Sequence, residues 1–244
     1  MTEATDFFYN TGIFFLILLT RYFVTAGIFY VYYMKLKSGK DKKRILSRRA
    51  AKKSQIKKEI YWSTISSVVF AVFGALTYLL YLHGNTAIYI EPEKFGYWYL
   101  PVSLVLVLFI HETYYYWMHR VMHFPRIYKW VHKVHHKSLS PTPWSSFSFH
   151  PWESLLEAII LPVVLIVIPV SLFVLGFYLV FMTISSVINH LDIEIYPASF
   201  QKSSFGRFLI GATHHHFHHE EFSTNYGLYF TFWDRIMGTQ SSKM

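Results

Sequence analysis

Cysteine is absent from the 244 residues of this sequence. Without thiols the chain cannot form disulfides, thiolate metal sites or a cysteine nucleophile, so any bound metal must have nitrogen or oxygen ligands. Charge is also scarce: Asp, Glu, Lys and Arg make up 15% of the residues, against roughly 25% in soluble domains. Hydrophobic residues reach 53%. A chain this apolar requires lipid around much of its surface.

Acidic residues are few, 14 against 23 Lys and Arg, which gives a formal charge of +9. Twelve of the basic residues lie between Lys35 and Lys58, where Asp41 is the single acid. No aromatic side chain interleaves these charges, which argues against a nucleic-acid partner. The positive-inside rule instead predicts a cytoplasmic loop between two membrane spans.

Several hydrophobic runs in the sequence are candidates for membrane spans, each of which needs about 20 apolar residues. The expected spans are Phe7–Met34, Tyr61–Leu82, Tyr97–Phe109 continued by Tyr114–Trp117, and a hairpin of two short helices over Leu155–Ile188. The sequence thus predicts an all-α integral membrane protein with about four to five transmembrane or re-entrant helices. A helical cap at the cytoplasmic side would follow Glu112. We expect two regions, residues 1–96 with the basic loop and residues 97–244 with the chemistry.

Histidines are concentrated in the second region, where thirteen of the fourteen lie between His111 and His219. Three clusters stand out: His119 and His123; His132, His135 and His136; and His215, His218 and His219. Spacings of three and four place side chains on one face of a helix, so each cluster could reach one metal or a metal pair. The last cluster lies within HHHFHH, which is internal and therefore does not resemble a purification tag.

The number of histidines bears on the kind of metal. A structural zinc closes its shell with four ligands, and these eight histidines would suffice for two ions. Zinc is redox-inert, whereas iron can support oxidation of an unactivated C–H bond. Two adjacent metals at a membrane surface favour oxidative chemistry on a lipid.

Other functions stay open at this point. A divalent-metal transporter would place histidines and acids inside the spans, which are nearly free of them apart from Arg21. A membrane scaffold with a structural zinc site would need only four ligands. A zinc hydrolase usually carries H-E-x-x-H, which this chain lacks.

Six stretches between Glu112 and Thr239 are similar to the fatty acid hydroxylase and sterol desaturase superfamily of membrane di-iron oxygenases. They are YWMHRVMH, YKWVHKVHHKS, PTPWSSFSFHPWE, NHLD, THHHFHHEEFSTNYG and FTFWDRIMGT. The resemblance implies an O2-dependent hydroxylase or desaturase of a lipid, with two iron ions as cofactor. It implies these iron ligands: His119, His123, His132, His135, His136, His190, His215, His218 and His219.

Further residues are expected beside the ligands. His150 matches a family position as a ligand or a neighbour of one, and His214 is a weaker candidate of the same kind. Glu112 is expected to orient a ligand imidazole by accepting its second N–H. Asp192 and Glu194 follow His190 and are expected to contact the ligands.

Three residues have structural interpretations. His111 is expected to pack at the membrane interface. Asp234 and Arg235 are expected to form a pair that holds the cap.

The partners and the location are expected from similar reasoning. Electrons would come from another protein, a ferredoxin or a small b-type cytochrome, and the positive charge suits an acidic donor. The substrate class stays open among sterols, fatty acyl chains, sphingoid bases, carotenoids and alkyl ethers, because HLDIEIYP departs from the family pattern after the hairpin. Hydroxylation and desaturation also stay open. The ending QSSKM shows no retrieval signal, so we expect a bacterial inner membrane rather than the endoplasmic reticulum.

Overall fold

A computed structural model describes residues 3–36, 44–47 and 50–244. The long helices are α1 (Glu3–Phe29), α2 (Lys53–Leu82), α3 (Tyr99–Met122), α5 (Pro151–Val167) and α6 (Leu172–Asn189). The shorter ones are α4 (Pro125–Tyr128), α7 (Ala198–Gln201), α8 (Ala212–Glu221) and α9 (Phe232–Ile236). A π-helical turn (Tyr30–Leu36) extends α1, and 3-10 turns cover His135–Lys137, Pro143–Phe147 and Gly206–Phe208. The strands are β1 (Ile88–Tyr89) and β2 (Val170–Ser171).

Membrane character is carried by the long helices. Three segments of the described chain are long and apolar enough to cross a bilayer: Ala4–Met34, Lys53–Leu82 and Leu172–Asn189. Large side chains such as Phe8 and Phe173 lie on the outer surface, 73% and 69% exposed, as expected where lipid replaces water. The prediction of an all-α integral membrane protein is confirmed.

The apolar block after residue 150 forms the predicted hairpin of α5 and α6. Helix α5 begins at Pro151, earlier than predicted, and Pro162 lies within it without ending it. The turn falls at Pro169, and the Ser171 hydroxyl accepts the Val174 N–H at 3.1 Å to cap α6. Gly176 lies inside α6 rather than at a break. The hairpin is thus bounded by Pro169 and a serine cap.

The two ends of the bundle differ in what they carry. At one end, β2 in the hairpin turn pairs in parallel with β1, with Ile88 opposite Val170. We call this the turn end. At the other end α3 and α6 terminate, α5 begins, and the C-terminal segment packs against them. We call this the histidine end.

The basic segment after α1 meets the histidine end. Most of it lies outside the described residues, but the Leu46 N–H donates to the Asp192 carbonyl and the Glu194 N–H donates to the Arg44 carbonyl, both at 3.0 Å. These bonds place the described part of the basic segment beside the residues that follow α6.

The core lies between α3, α5 and α6. Val107, Val164, Leu165, Val174 and Tyr178 form one buried cluster there. Burying apolar side chains of this size stabilises a soluble fold by about 2 kcal/mol each. Between helices in lipid, close packing takes over much of that role.

Buried carboxylates fix the C-terminal cap. Asp234 accepts the backbone N–H groups of Tyr226 and Gly227 at 2.8 and 2.9 Å. Arg235 donates to the Thr231 hydroxyl and to the Arg207 carbonyl. Both side chains thus hold the cap, although through separate bonds rather than through a bond to each other.

Candidate metal centre

Nine histidines converge at the histidine end in two adjoining groups. The first, which we call the five-histidine group, contains His119, His123, His132, His136 and His218. The second, the four-histidine group, contains His135, His190, His215 and His219. Within each group the candidate ligand atoms lie within 4.8 Å of one another. The rings of His136 and His219 are 4.5 Å apart across the boundary between the groups.

Each group draws on segments far apart in the chain. The end of α3 supplies His119 and His123, the residue after α6 is His190, and α8 supplies the last cluster. The segment HKVHH was predicted to present three imidazoles on one helical face. Instead it forms turns and a short 3-10 helix. His135 belongs to the four-histidine group, whereas His132 and His136 belong to the five-histidine group.

Hydrogen bonds at Nδ1 determine the tautomers of three ligand candidates. Nδ1 of His119 bonds to the Tyr226 carbonyl, that of His190 to the Ser186 carbonyl and that of His218 to the Thr224 carbonyl, at 2.7–2.9 Å. Nδ1 of His132 lies 2.6 Å from a Glu153 carboxyl oxygen, a contact in which either group can carry the proton. Carbonyl oxygens only accept, so Nδ1 carries the proton in His119, His190 and His218. In a neutral ring whose Nδ1 is protonated, Nε2 carries a free lone pair.

Burial keeps these rings neutral. It lowers the pKa of His190 and of His218 to about 4. Burial, and after it the neighbouring imidazoles, lower the pKa well below the ordinary value in four more: His132, His136, His215 and His219. Neutral imidazole is the form that binds metals.

A cation fits this arrangement, as His119 and His218 show. Both belong to the five-histidine group, and their rings lie 4.4 Å apart. A backbone carbonyl holds the Nδ1 proton of each ring, so each presents an Nε2 lone pair. Two lone pairs cannot form a hydrogen bond with each other. A positive ion between them would satisfy both, and the Nδ1 contacts are those that usually support ligating histidines.

Two histidines predicted as ligands or neighbours lie outside both groups. His150 is the N-cap of α5, where its Nδ1 accepts the Trp152 N–H at 3.4 Å, and its ring lies against Trp62. His214 is buried, and its Nδ1 accepts the Gly211 N–H at 3.4 Å. Both side chains cap helices, and the structure contradicts a ligand role for either.

Three predicted acids also act on the backbone. Glu112 accepts the N–H groups of Leu228 and Tyr229 at 3.0 and 2.7 Å. The prediction that it accepts from a ligand imidazole is wrong, because these backbone donors occupy its carboxylate. Its role is to join α3 to the C-terminal segment.

Asp192 and Glu194 shape the loop between α6 and α8. Asp192 accepts the N–H and hydroxyl of Ser47 at 3.0 and 2.7 Å, and burial raises its pKa to about 6. Glu194 accepts the N–H and hydroxyl of Thr213 at 3.0 and 2.6 Å. Neither makes a hydrogen bond to the nine histidines, so the prediction of direct contact with the ligands is wrong.

Two site features escaped the sequence analysis. Glu153 is fully buried and bonds to His132, although only its motif FHPWE was singled out. An acidic residue in the first turn of an otherwise apolar helix was the sequence signal that could have identified Glu153. His111 was predicted to pack at the interface. It is buried instead, with Nδ1 2.5 Å from the Tyr178 hydroxyl and 3.0 Å from that of Tyr229.

An apolar cavity of about 550 Å³ leads from the turn end to the histidine groups. Ile88 and Leu172 line it at the turn end, and His190 and His215 line it at the histidine end. A volume of this size is in the range of sites for small organic molecules. The four-histidine group therefore faces a space that an apolar molecule could enter.

Comparison with known proteins agrees with the sequence resemblance. The chain is similar to lathosterol oxidase of Mus musculus, 35% identical over 191 residues that cover 77% of this chain and 62% of the relative. It is similar to Delta(7)-sterol 5(6)-desaturase ERG3B of Gibberella zeae, 31% identical over 192 residues that cover 79% and 58%. Lathosterol oxidase of Homo sapiens is 30% identical over 190 residues, which cover 77% and 62%.

The chain thus spans about three fifths of the length of these relatives. No solved structure matches it significantly. The family model for fatty acid hydroxylase matches residues 104–239, which include all nine grouped histidines. That match covers more than half of the sequence, and the chain belongs to the fatty acid hydroxylase family.

Proposed function

We propose that this protein is a membrane oxidoreductase that hydroxylates or desaturates a lipid, with two iron ions and O2. The observation that carries the proposal is the convergence of nine histidines in two adjoining groups beside a lipid-sized apolar cavity. The relatives are named as sterol desaturases and lathosterol oxidases, which supports the same class of reaction.

The proposed iron ligands are the nine grouped histidines, five in one group and four in the other. Two iron ions, when bound, would supply the oxidising chemistry that an unactivated C–H bond requires. The chain positions the lone pairs: backbone carbonyls hold the Nδ1 protons of His119, His190 and His218, which leaves Nε2 of each ring free to bind a metal. Apolar side chains form most of the walls of the neighbouring cavity.

We propose a sterol as the first substrate to test, and a fatty acyl lipid as the second. The relatives' names support the sterol, and the apolar cavity suits the apolar part of a sterol or of a fatty acyl lipid. The competing metal-transport function would need ligands near the middle of the membrane. Here the grouped histidines lie at the ends of α3 and α6, which favours the enzyme.

The proposed electron donor is an external acidic protein, a ferredoxin or a b-type cytochrome. No Asp or Glu occurs between Thr113 and Trp152. Exposed basic residues lie on the same stretch as the second histidine cluster: Arg126, Lys129, Lys133 and Lys137. Opposite charge would guide an acidic donor to this face.

We further propose that the histidine end faces the cytoplasm, because the basic segment contacts that end and such segments stay inside. The expected bacterial inner membrane gains no support from the relatives named above, which are fungal and mammalian. The division at residue 97 is kept as a proposal, supported by a family match that begins at residue 104.

Lipid mass spectrometry tests the proposed reaction. Cells expressing the wild type are compared with cells expressing His135→Ala, which removes one member of the four-histidine group. We expect a lipid that gains one oxygen or loses two hydrogens only with the wild type. No difference, with iron loaded and a donor present, would contradict the proposal, and one zinc without iron per chain would favour a structural zinc site.

A further inference from the structure

The five-histidine group approaches the surface of the protein at His123. That residue is partly exposed, whereas the other eight grouped histidines are buried. The four-histidine group meets the apolar cavity instead, through His190 and His215, and no member of the five-histidine group lines that cavity. The metal centre thus has a cavity side and a surface side.

Two aromatic rings cover the surface side. Phe222 stacks on His136, with ring centroids 4.7 Å apart and an angle of 25° between the planes, and the residue is 40% exposed. Tyr128 is partly exposed and contacts His123 and His136, in each case at 5.7 Å between ring centroids. The rings of Tyr128 and Phe222 also contact each other, at 5.9 Å. We call Tyr128 and Phe222 the aromatic patch, which lies between solvent and two members of the five-histidine group.

Phe222 has a backbone conformation that its side chain disfavours. It ends α8 in the left-handed region, with φ at +61°, where glycine is the usual residue at the end of a helix. A bulky side chain in this region is uncommon, and such strain concentrates at functional sites. The Phe222 N–H donates to the carbonyl of His218, another grouped histidine. The strained residue is therefore attached directly to the five-histidine group.

Positive charge borders the aromatic patch. Arg126 and Lys129 are exposed and flank Tyr128 in the chain, three residues apart on one helical turn and therefore on the same side. Within the described residues neither forms an ion pair within 4.0 Å. The two acids that precede Phe222 both pair with Lys243, at 3.3 and 3.2 Å. The positive charge at this border is thus left available to a partner.

We infer that the electron donor docks on the aromatic patch, so that electrons enter at the five-histidine group, on the surface side of the metal centre. A small acidic one-electron carrier protein fits this surface, because its negative charge complements Arg126 and Lys129. Aromatic side chains are also enriched at the centres of protein interfaces. Each encounter oxidises the donor by one electron and reduces the metal centre by one. The inference rests on the proposed function for the need of a donor.

The arrangement separates the donor from the lipid. The donor contacts the surface side, whereas the lipid occupies the cavity beside His190 and His215. Electrons can therefore be delivered while the lipid is in place.

Binding of a donor tests the inference without any oxidation. Zinc-loaded protein, which is redox-inert, is held in phosphatidylcholine nanodiscs and titrated with two probes, the soluble haem domain of a b-type cytochrome and a plant-type ferredoxin. Microscale thermophoresis gives the dissociation constants. We expect at least one probe to bind, with an affinity that falls as the ionic strength rises. Binding of neither probe to the wild type would overturn the inference.

Three variants locate the docking surface. Arg126→Glu and Lys129→Glu place a like charge opposite the donor, and Phe222→Gly removes the ring while it supplies the residue that best accepts a left-handed backbone. We expect each to weaken binding of the probe about tenfold. Lys94→Glu makes the same charge change on the exposed loop near β1 and should leave the affinity unchanged.

Zinc content and thermal unfolding in detergent identify the variants that fold. Folded variants that bind the probe as tightly as the wild type would contradict the inference. That result is also the one expected if lipid headgroups or a second copy of the chain cover the aromatic patch. The two charge reversals alter exposed side chains, so they keep the test decisive if Phe222→Gly fails to fold.

The outcome separates this inference from the proposed function. Weaker probe binding in the variants, together with no lipid oxidation by the iron-loaded wild type and donor, would remove the proposed reaction and leave the docking surface. Lipid oxidation by the wild type, with probe binding unchanged in the variants, would do the reverse.

Discussion

Glu153 is the single side-chain carboxylate that bonds to a grouped histidine within the described chain. Its Oε1 lies 2.6 Å from Nδ1 of His132, and both side chains are almost fully buried. Such a contact fixes the ring orientation and increases the basicity of the metal-binding nitrogen. The role predicted for Glu112 is therefore performed by a residue on another helix.

We expect Glu153→Gln to weaken metal binding at the five-histidine group about tenfold or more, because the amide is a poorer acceptor than the carboxylate. Competitive titration of purified protein with a chelator measures the affinity. Glu157→Gln is the matched control, since the same change one turn further along α5 touches no grouped histidine. Equal affinities in the wild type and Glu153→Gln would contradict this role.

The run HHHFHH contains histidines with different surroundings. His218 is buried in the five-histidine group, whereas His216 lies outside both groups and faces Asp192 at 3.6 Å. We expect His218→Ala to lose bound metal and all lipid oxidation, because it removes a lone pair that the protein holds in place. His216→Ala should keep both. Metal analysis after native purification distinguishes them, and metal loss in both variants would show that the run acts only through folding.

At the scale of elements, α8 depends on a carboxylate from a neighbouring loop. Gly211, its N-cap, has no side chain, and Glu194 supplies the acceptor for the Thr213 N–H instead. A negative charge there also interacts favourably with the helix dipole. This contact holds the N-terminal end of the helix that carries three grouped histidines.

We expect Glu194→Ala to destabilise the protein by about 1–2 kcal/mol, the usual effect of losing an N-terminal cap. Thermal unfolding in detergent, followed by intrinsic fluorescence, measures the change. Glu220→Ala is the control, because that residue lies exposed at the other end of α8. A melting temperature equal to that of the control would argue against the capping role.

Long apolar elements were predictable, and short ones were not. The hairpin of α5 and α6 follows from composition, because about 34 apolar positions interrupted near Pro169 fit two helices. HKVHH looked helical because of its spacing. It forms a tighter turn because the segment must connect α3 to Pro143 while delivering histidines to two groups. Local periodicity contains no information about that requirement.

For the molecule as a whole, the bundle has chemically distinct ends. Exposed Lys133 lies within the second histidine cluster, and exposed Glu93 lies in the loop near β1. The basic segment bonds to the loop after α6 at the histidine end. The fold therefore predicts that Lys133 and Glu93 are on opposite sides of the membrane.

Single cysteines test this arrangement directly, since the natural sequence has none. In sealed vesicles we expect Lys133→Cys to react with an impermeant maleimide from the cytoplasmic face, and Glu93→Cys from the other. The unmodified chain is the control and should not be labelled. Labelling of both variants from one face would contradict the topology.

The sequence by itself determined the class of the molecule: apolar runs require a membrane, and the absence of thiols restricts ligands to nitrogen and oxygen. The histidine spacings mark eight of the nine residues that meet, and the family resemblance adds His190. Only the tertiary structure decided how they are divided. His135 and His136 are neighbours in the chain and belong to different groups, as do His218 and His219. Adjacent residues point in different directions. Which direction meets which partner depends on contacts between segments far apart in the chain, such as His119 with Tyr226, which are 107 residues apart. Long-range packing also put Glu153 beside His132 and placed Arg21 and Glu157 in one cavity, which no local pattern specifies.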